Sequence, residues 1–365
     1  MTPQKTYDNS TSARELLAKF GAIIELDNGE SEFISITQLL NSGVTEVIIN
    51  QPYEIFTEDS KGFHRYQGNF SFDDLMKLAN TLCKYNTKAV SVENPSESIR
   101  LPDGERGHIV IPPACEAGKV VFAFRKPSDS RFTLDDYIKS GRLSHFVDTA
   151  FYKTAAEIPP EIMPFISEWQ LQMIEAKNKK DMATFFKLAT QHKCNICMVG
   201  GTGSGKTTFT KAIADLIDHE TRIITIEDTH ELSLPYHKNH AHLFFSNDEK
   251  AKHTAKKAIA DCMRLKPDRI FLTELRGDEA WDYLSALNTG HAGGLTSVHA
   301  NDSRSVFARI TQLAKESKTG QGLEYSFVLN VVKSTIDVVC FFERTYMKEL
   351  YFDPVVKIQA SNGRW

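Results

Sequence analysis

The 365-residue sequence is most informative at first through what it lacks. No run approaches the roughly 18 consecutive apolar residues of a membrane-spanning helix, so any membrane contact is expected to be peripheral. Charge of one sign is also missing. With 43 Lys and Arg against 47 Asp and Glu, the formal net charge is -4. That excludes the bulk basic field that drives non-specific nucleic-acid binding, while leaving room for a local basic patch. The cysteines are few and scattered, at Cys83, Cys115, Cys194, Cys197, Cys262 and Cys340. The opening MTPQKTYDNS has neither the cationic start nor the apolar run of a secretory signal, and a reducing cytosol is the expected compartment. CNIC at 194–197 has the spacing of a redox or metal pair. It lies in an apolar segment whose alternate side chains face opposite ways, so its cysteines are read as core thiols. There is no internal repeat and no low-complexity tract.

What is present is enough apolar sequence, 41% of residues, for two ordinary cores. Residues 1–147 hold alternating, β-branched runs such as TEVIINQPYEIFTED and KVVFAFRKPS. They also hold one amphipathic helix, SFDDLMKLANTLCKYN, with Leu75, Leu78, Ala79 and Leu82 at 3–4 spacing. This predicts an α+β amino-terminal domain. Residues 148–165, with the proline-rich AAEIPPEIMP, read as a connection. Over 166–365 strands and helices alternate: CNICMVG, KTTFTKAIADLI, RIITIED, TAKKAIADCMRL, RIFLTEL, DEAWDYLSAL, LTSVHA and SVFARITQLA. Such βαβ grammar predicts an α/β domain with a mainly parallel sheet covered on both faces. The tail, IDVVCFFE, KELYFDP and VVKIQA, is hairpin-like and is expected to add antiparallel strands at one edge.

The segment GGTGSGKTT carries the chemistry. Gly200, Gly205, Lys206 and Thr207 satisfy G-x-x-x-x-G-K-[ST] between a predicted strand and a predicted helix. Glycines let the backbone of Gly200, Gly201, Thr202, Gly203, Ser204 and Gly205 curl into a nest of N–H groups, and the helix dipole points at the same place. Such a P-loop holds a polyphosphate such as ATP. Lys206 is expected to reach the β- and γ-phosphates, and Thr207 to offer its hydroxyl to Mg2+; Thr208 is read as packing or capping.

Two predicted strands end in acids: RIITIEDTHEL presents Glu227 and Asp228, and RIFLTELRG presents Glu274. In an open parallel sheet the carboxyl ends of neighbouring strands share one crevice with the phosphate loop, which makes both acids candidates for the site. Glu274 is read as the metal-side acid, partly through water, and Glu227 as the general base that polarises the attacking water. Thr273 stands where an aspartate often precedes, which shifts weight onto Glu274. His291 and His299 flank a glycine turn in TGHAGGLTSVHAND, and two histidines without a third ligand make a poor zinc site. On residues alone His299 is either an ordinary loop histidine or a donor to the γ-phosphate.

In order and spacing, GGTGSGKTT, ITIEDTHEL, MRLKPDRIFLTELRGDEAWD and TGHAGGLTSVHAN resemble the secretion ATPase superfamily. Upstream, TEVIINQPYEIF, LPDGERGHIVIPPACE, RKPS and LDDYIKSG resemble the amino-terminal domain of the type IV secretion traffic ATPases, the VirB-class motors. The resemblance implies a RecA-like ATPase domain, an ATP and Mg2+ requirement, and a homohexamer with nucleotide between a chain's two domains. It places Arg106 and Arg125 on the nucleotide phosphates, with Arg276 a weaker candidate, and it makes His299 part of a catalytic set with Lys206, Glu227 and Glu274. It further implies secretion-channel partners at the cytoplasmic face of the inner membrane, with substrate translocation, pilus assembly or conjugative DNA transfer as the work done. No sequence-specific nucleic-acid binding is expected. The alternatives are a type II secretion or type IV pilus motor, whose relatives carry a four-cysteine metal motif or retraction-type tail not found here, a nucleic-acid translocase on the same core, and a non-enzymatic nucleotide sensor.

Overall fold

Alternation of buried and accessible residues organises the first part of the chain. Val47 and Ile49 on one strand, and Phe122 and Phe124 on its neighbour, are fully buried while the residues between them are not. One face of the sheet is therefore a core face. The computed structural model describes residues 9–26, 28–59, 61–126, 131–246 and 252–362. Within it the chain divides into two units, Met1–Asp129 and Ser130–Trp365.

The first unit is an eight-stranded sheet in the order Ser31–Ser35, Gly21–Glu25, Gly62–Gly68, Glu54–Asp59, Glu46–Gln51, Val121–Arg125, Arg106–Val110, Ser96–Arg100, with antiparallel pairing throughout. The expected amphipathic helix is Phe72–Tyr85. Ser71 and Asp74 cap it reciprocally, and Leu75, Leu78, Ala79 and Leu82 enter the core. Gly107 belongs to that core face: a Cβ there would lie 2.9 Å from Ile99 and 3.1 Å from Phe124. His108 takes the other face and its Nδ1 is 3.0 Å from Ser98 Oγ.

The second unit is a second eight-stranded sheet, ordered His240–Phe244, Ile223–Glu227, Arg269–Leu272, Leu295–Val298, Ile196–Val199, Val338–Glu343, Tyr346–Phe352, Val147–Asp148. The first six run parallel. Four of them, Ile223–Glu227, Arg269–Leu272, Leu295–Val298 and Ile196–Val199, are buried along their whole length, as expected of strands covered on both faces. Cys194 and Cys197 are free, buried thiols in the two different cores that flank this sheet. Burial pushes the Cys197 thiol up to about 12.

Three features differ from the sequence reading. The break between units falls at Asp129/Ser130, upstream of 147. Residues 148–165 are packed into the second unit: Val147–Asp148 pairs with Tyr346–Phe352, and Ile158 and Ile162 are buried with Phe209. Prolines there shape a surface-hugging path, not a free connection. In the tail, Val338–Glu343 is an interior strand parallel to Ile196–Val199, and only Tyr346–Phe352 adds antiparallel pairing. VVKIQA is not a strand. Pro354 at the first turn and the Asp353 carboxylate, which accepts from Val356 N at 3.1 Å, start the helix Pro354–Ser361.

Candidate active site

The loop leaves Ile196–Val199 at its carboxyl end. Gly200 has φ +146°, and a Cβ there would lie 2.3 Å from the Phe342 carbonyl oxygen, so no side chain fits. Gly205, left-handed at φ 92°, precedes the helix Lys206–Ala214. Lys206 Nζ donates to the carbonyls of Gly200 and Gly201, each at 2.7 Å, which ties the lysine back across the loop. Ser204 Oγ is buried and makes no hydrogen bond among the described residues. A cavity of about 330 Å³ opens over the loop, lined among others by Thr202, Gly203, Ser204, Asn301 and Arg344. Thr208 is half-buried on the first turn of the helix. That turn is held from behind: Phe209 packs edge-on to Tyr137 at 5.0 Å and to Phe186 at 5.3 Å.

Parallel pairing sets the acids and the histidine at the same end of the sheet. Val199 is in register with Val298, and Ile226 with Leu272, so Gly200, His299, Thr273 and Glu227 all emerge along one edge. His299 Nε2 lies 3.2 Å from Glu274 Oε1. Arg276 donates to Glu274 Oε2 at 2.8 Å and to Asp228 Oδ2 at 2.9 Å. Burial pushes the Glu274 carboxyl up, but Arg276, His299 and Lys206 together hold it below its usual value. For His299, burial acts first and the Lys206 charge second, and both lower its pKa against the opposing pull of Glu274. Lys206, Glu274 and His299 thus share one electrostatic environment. Thr273, at the position where an aspartate often stands, turns its hydroxyl to the Ile226 carbonyl at 3.4 Å.

Glu227 is held differently. It is fully buried, and both oxygens are engaged: Oε1 accepts from Thr225 Oγ1 at 2.7 Å and lies 3.1 Å from His242 Nδ1, while Oε2 accepts from the backbone N–H of Glu231 at 2.8 Å and Leu232 at 3.0 Å. Burial pushes this carboxyl up, and those bonds more than offset it, leaving the pKa lowered. A base needs a lone pair turned toward water, and here both Glu227 oxygens are turned to protein groups instead. The Glu227 role read from the sequence is therefore not the one this geometry favours. Glu274 is instead held by side chains that are themselves nearly half exposed.

Two residues here were missed. Glu231 accepts from Thr207 Oγ1 at 3.2 Å, bringing a carboxylate to the hydroxyl expected to meet Mg2+. Its signal was the acid four residues after Glu227 in EDTHEL. His242 comes from the edge strand His240–Phe244, in register with Thr225, and sequence spacing gives no hint of it. Arg106 and Arg125 belong to the first unit, where they are direct cross-strand partners; Arg125 also lies 3.9 Å from Glu46. Pro127 and Ser128 of the RKPS run lie outside the described residues.

Comparison with known proteins bears on this arrangement. The family described as Type II/IV secretion system protein matches residues 162–346. The type IV secretion system protein VirB11 of Brucella suis biovar 1 is 35% identical over 326 residues, covering 86% of this chain and 87% of that protein. The type IV secretion system protein PtlH of Bordetella pertussis (strain Tohama I) is 32% identical over 310 residues, covering 84% of this chain and 87% of that one. A solved structure of the pilus retraction motor PilT with bound ADP aligns with a TM-score of 0.55 at 17% identity, over 90% of this chain and 85% of that one, a likeness of fold. The fold is that of a RecA-like P-loop ATPase domain with an amino-terminal domain before it.

Proposed function

This chain belongs to the type II/IV secretion system protein family, as a type IV secretion ATPase that hydrolyses ATP, and from that premise we propose that it works as a Mg2+-dependent homohexameric motor. In this reading it sits at the cytoplasmic face of the inner membrane against channel components, and uses nucleotide-driven ring motions for substrate translocation or pilus assembly. Among the described residues no helix is long and apolar enough to cross a membrane.

The observation that carries the reading is the meeting of Lys206, Thr207, Glu274 and His299 around one glycine loop. Backbone N–H groups of 201–206 cradle the phosphates, and Lys206 exchanges the carbonyls of Gly200 and Gly201 for β- and γ-phosphate oxygens. The donor set suits Mg2+: a hydroxyl and carboxylates are hard oxygen groups, and Thr207, oriented by Glu231, with Glu274 through water, would hold it. Bound there, the ion neutralises charge on the phosphate oxygens. We assign polarisation of the attacking water to Glu274, with His299 donating to the γ-phosphate and Arg276 steadying Glu274 and Asp228. Glu227 becomes a positioning residue that shapes the turn carrying Glu231. Arg106 and Arg125 are retained as phosphate contacts, for which the planar guanidinium fork is suited.

The test is phosphate release by the tag-free chain, with its mass measured in solution with ATP. Lys206→Ala is expected to weaken nucleotide binding, and Glu274→Gln to keep it while losing roughly 10²-fold or more in turnover. Wild-type turnover by Glu274→Gln would put the base elsewhere. A monomer at every nucleotide concentration would overturn the ring, and strong DNA stimulation with strand unwinding would favour a translocase.

A further inference from the structure

The turn that follows Ile223–Glu227 gathers more than an acidic box needs. His230 Nδ1 lies 3.5 Å from Glu227 Oε1, and His242 Nδ1 lies 3.1 Å from the same oxygen. One donor atom from each of the three residues lies within 4.8 Å of the others, the one such group among the described residues. The His230 and His242 rings meet at 4.4 Å between centroids.

These separations match a coordination polyhedron. Zinc takes imidazole nitrogen and carboxylate oxygen at about 2.0–2.2 Å in tetrahedral sites, which sets neighbouring donors about 3.3–3.5 Å apart. Both measured edges to Glu227 Oε1 fall close to that value. Two imidazoles and one carboxylate form a borderline-soft set that Mg2+ does not favour and that zinc, cobalt or nickel does. The site is also graded in depth: Glu227 is fully buried, the His242 side chain is 17% exposed and that of His230 48% exposed. A buried anion forms the floor and an accessible imidazole the entrance. Thr225 Oγ1 donates to Glu227 Oε1 at 2.7 Å, the outer hydrogen bond that orients the carboxylate, and its contact with His242 Nδ1 is given up where that nitrogen takes the ion.

We propose that Glu227, His230 and His242 form a binding site for a divalent transition-metal ion of the zinc class, distinct from the hard-oxygen Mg2+ position at Thr207. The ion bridges the end of Ile223–Glu227, the turn after it and the edge strand His240–Phe244, adding a tie between the turn and two strands already joined by backbone pairing. It therefore clamps the turn whose Glu231 and Leu232 N–H groups donate to the other oxygen of Glu227.

The experiment is titration of the tag-free, full chain with Zn2+ by calorimetry and with Co2+ by visible absorption, without nucleotide. One equivalent is expected to bind, with the intense absorption of a tetrahedral cobalt centre. His230→Ala and His242→Ala should each weaken binding by about tenfold or more, whereas His253→Ala, whose ring bonds to the Phe244 carbonyl and Asp261, should leave it unchanged. His230 is exposed enough that its removal spares the fold, so its variant keeps the test decisive even where His242→Ala unfolds. No saturable binding, an octahedral cobalt spectrum, or affinity unaltered in His230→Ala would overturn the proposal.

Discussion

Thr207 Oγ1 donates to Glu231 Oε2 across 3.2 Å, joining the first turn of the loop helix to the acidic turn three strands away in the sheet. That bond makes Glu231 sensitive to whatever Thr207 binds. Glu231→Gln keeps an acceptor for the hydroxyl but removes the charge. Turnover is expected to fall about 10- to 100-fold, with a raised Mg2+ requirement and little change in the KM for ATP, the pattern for an outer partner of a metal ligand. Steady-state phosphate release at several Mg2+ concentrations checks it. An unchanged Mg2+ dependence removes Glu231 from the metal side.

Glu227 and Glu274 should fail in different ways when each becomes glutamine. At Glu227 the amide N–H2 must face either two backbone N–H groups or the Thr225 hydroxyl and His242 Nδ1, so a buried hydrogen-bond network set for a carboxylate loses a charged acceptor. The expected cost is about 1–3 kcal/mol of stability. At Glu274 the partners are exposed and adapt, so the melting temperature should fall less than in Glu227→Gln while turnover collapses. Thermal unfolding beside phosphate release distinguishes them. A Glu227→Gln protein as stable as wild type, inactive but ATP-bound, would restore Glu227 as the base.

Much of the site was legible because the physics that builds it is local. The glycine loop is dictated by spacing, and four central strands announce themselves as unbroken apolar runs because both faces are covered. What escaped is non-local or balanced. His240–Phe244 is a partly exposed edge strand with little apolar patterning, so neither it nor His242 could be placed. The β-branched VVKIQA resembled a strand until Asp353 and Pro354 were seen to cap it. The Glu227 assignment followed from its place at a strand end, but whether a carboxylate there faces water or backbone N–H groups depends on how the next five residues turn.

Acid should destabilise the protein partly through Glu274. Its folded-state pKa is depressed below the ordinary 4.5, so the unfolded chain binds its proton first. Stability from this group is present above the unfolded value and is lost as pH falls through the folded one. As pH falls below about 4.5 the wild-type melting temperature should therefore drop more steeply than that of Glu274→Gln, which lacks the group. Parallel curves would mean that Arg276 and His299 contribute no net stabilisation to the ionised form.

Arg106 and Arg125 offer the last test, because the sheet of the first unit places them side by side. They are cross-strand partners, and Phe124, one residue before Arg125, is buried on the opposite face with Gly107. Two guanidinium groups in that position repel unless an anion lies near. Glu46, the partner of Arg125 on its other side, supplies one carboxylate at 3.9 Å, a loose contact for a half-exposed arginine. A polyphosphate offers both forks paired, charged hydrogen bonds. If the pair contacts ATP, Arg125→Ala and Arg106→Ala should each raise the dissociation constant of a fluorescent ATP analogue by about tenfold, the effect of losing one charge-assisted hydrogen-bond set. Arg125→Lys should recover little of it, since an ammonium keeps the charge but not the paired geometry. Full recovery by lysine would reduce the role to bulk charge, and wild-type affinity in the Arg106→Ala/Arg125→Ala double variant would remove both arginines from the nucleotide.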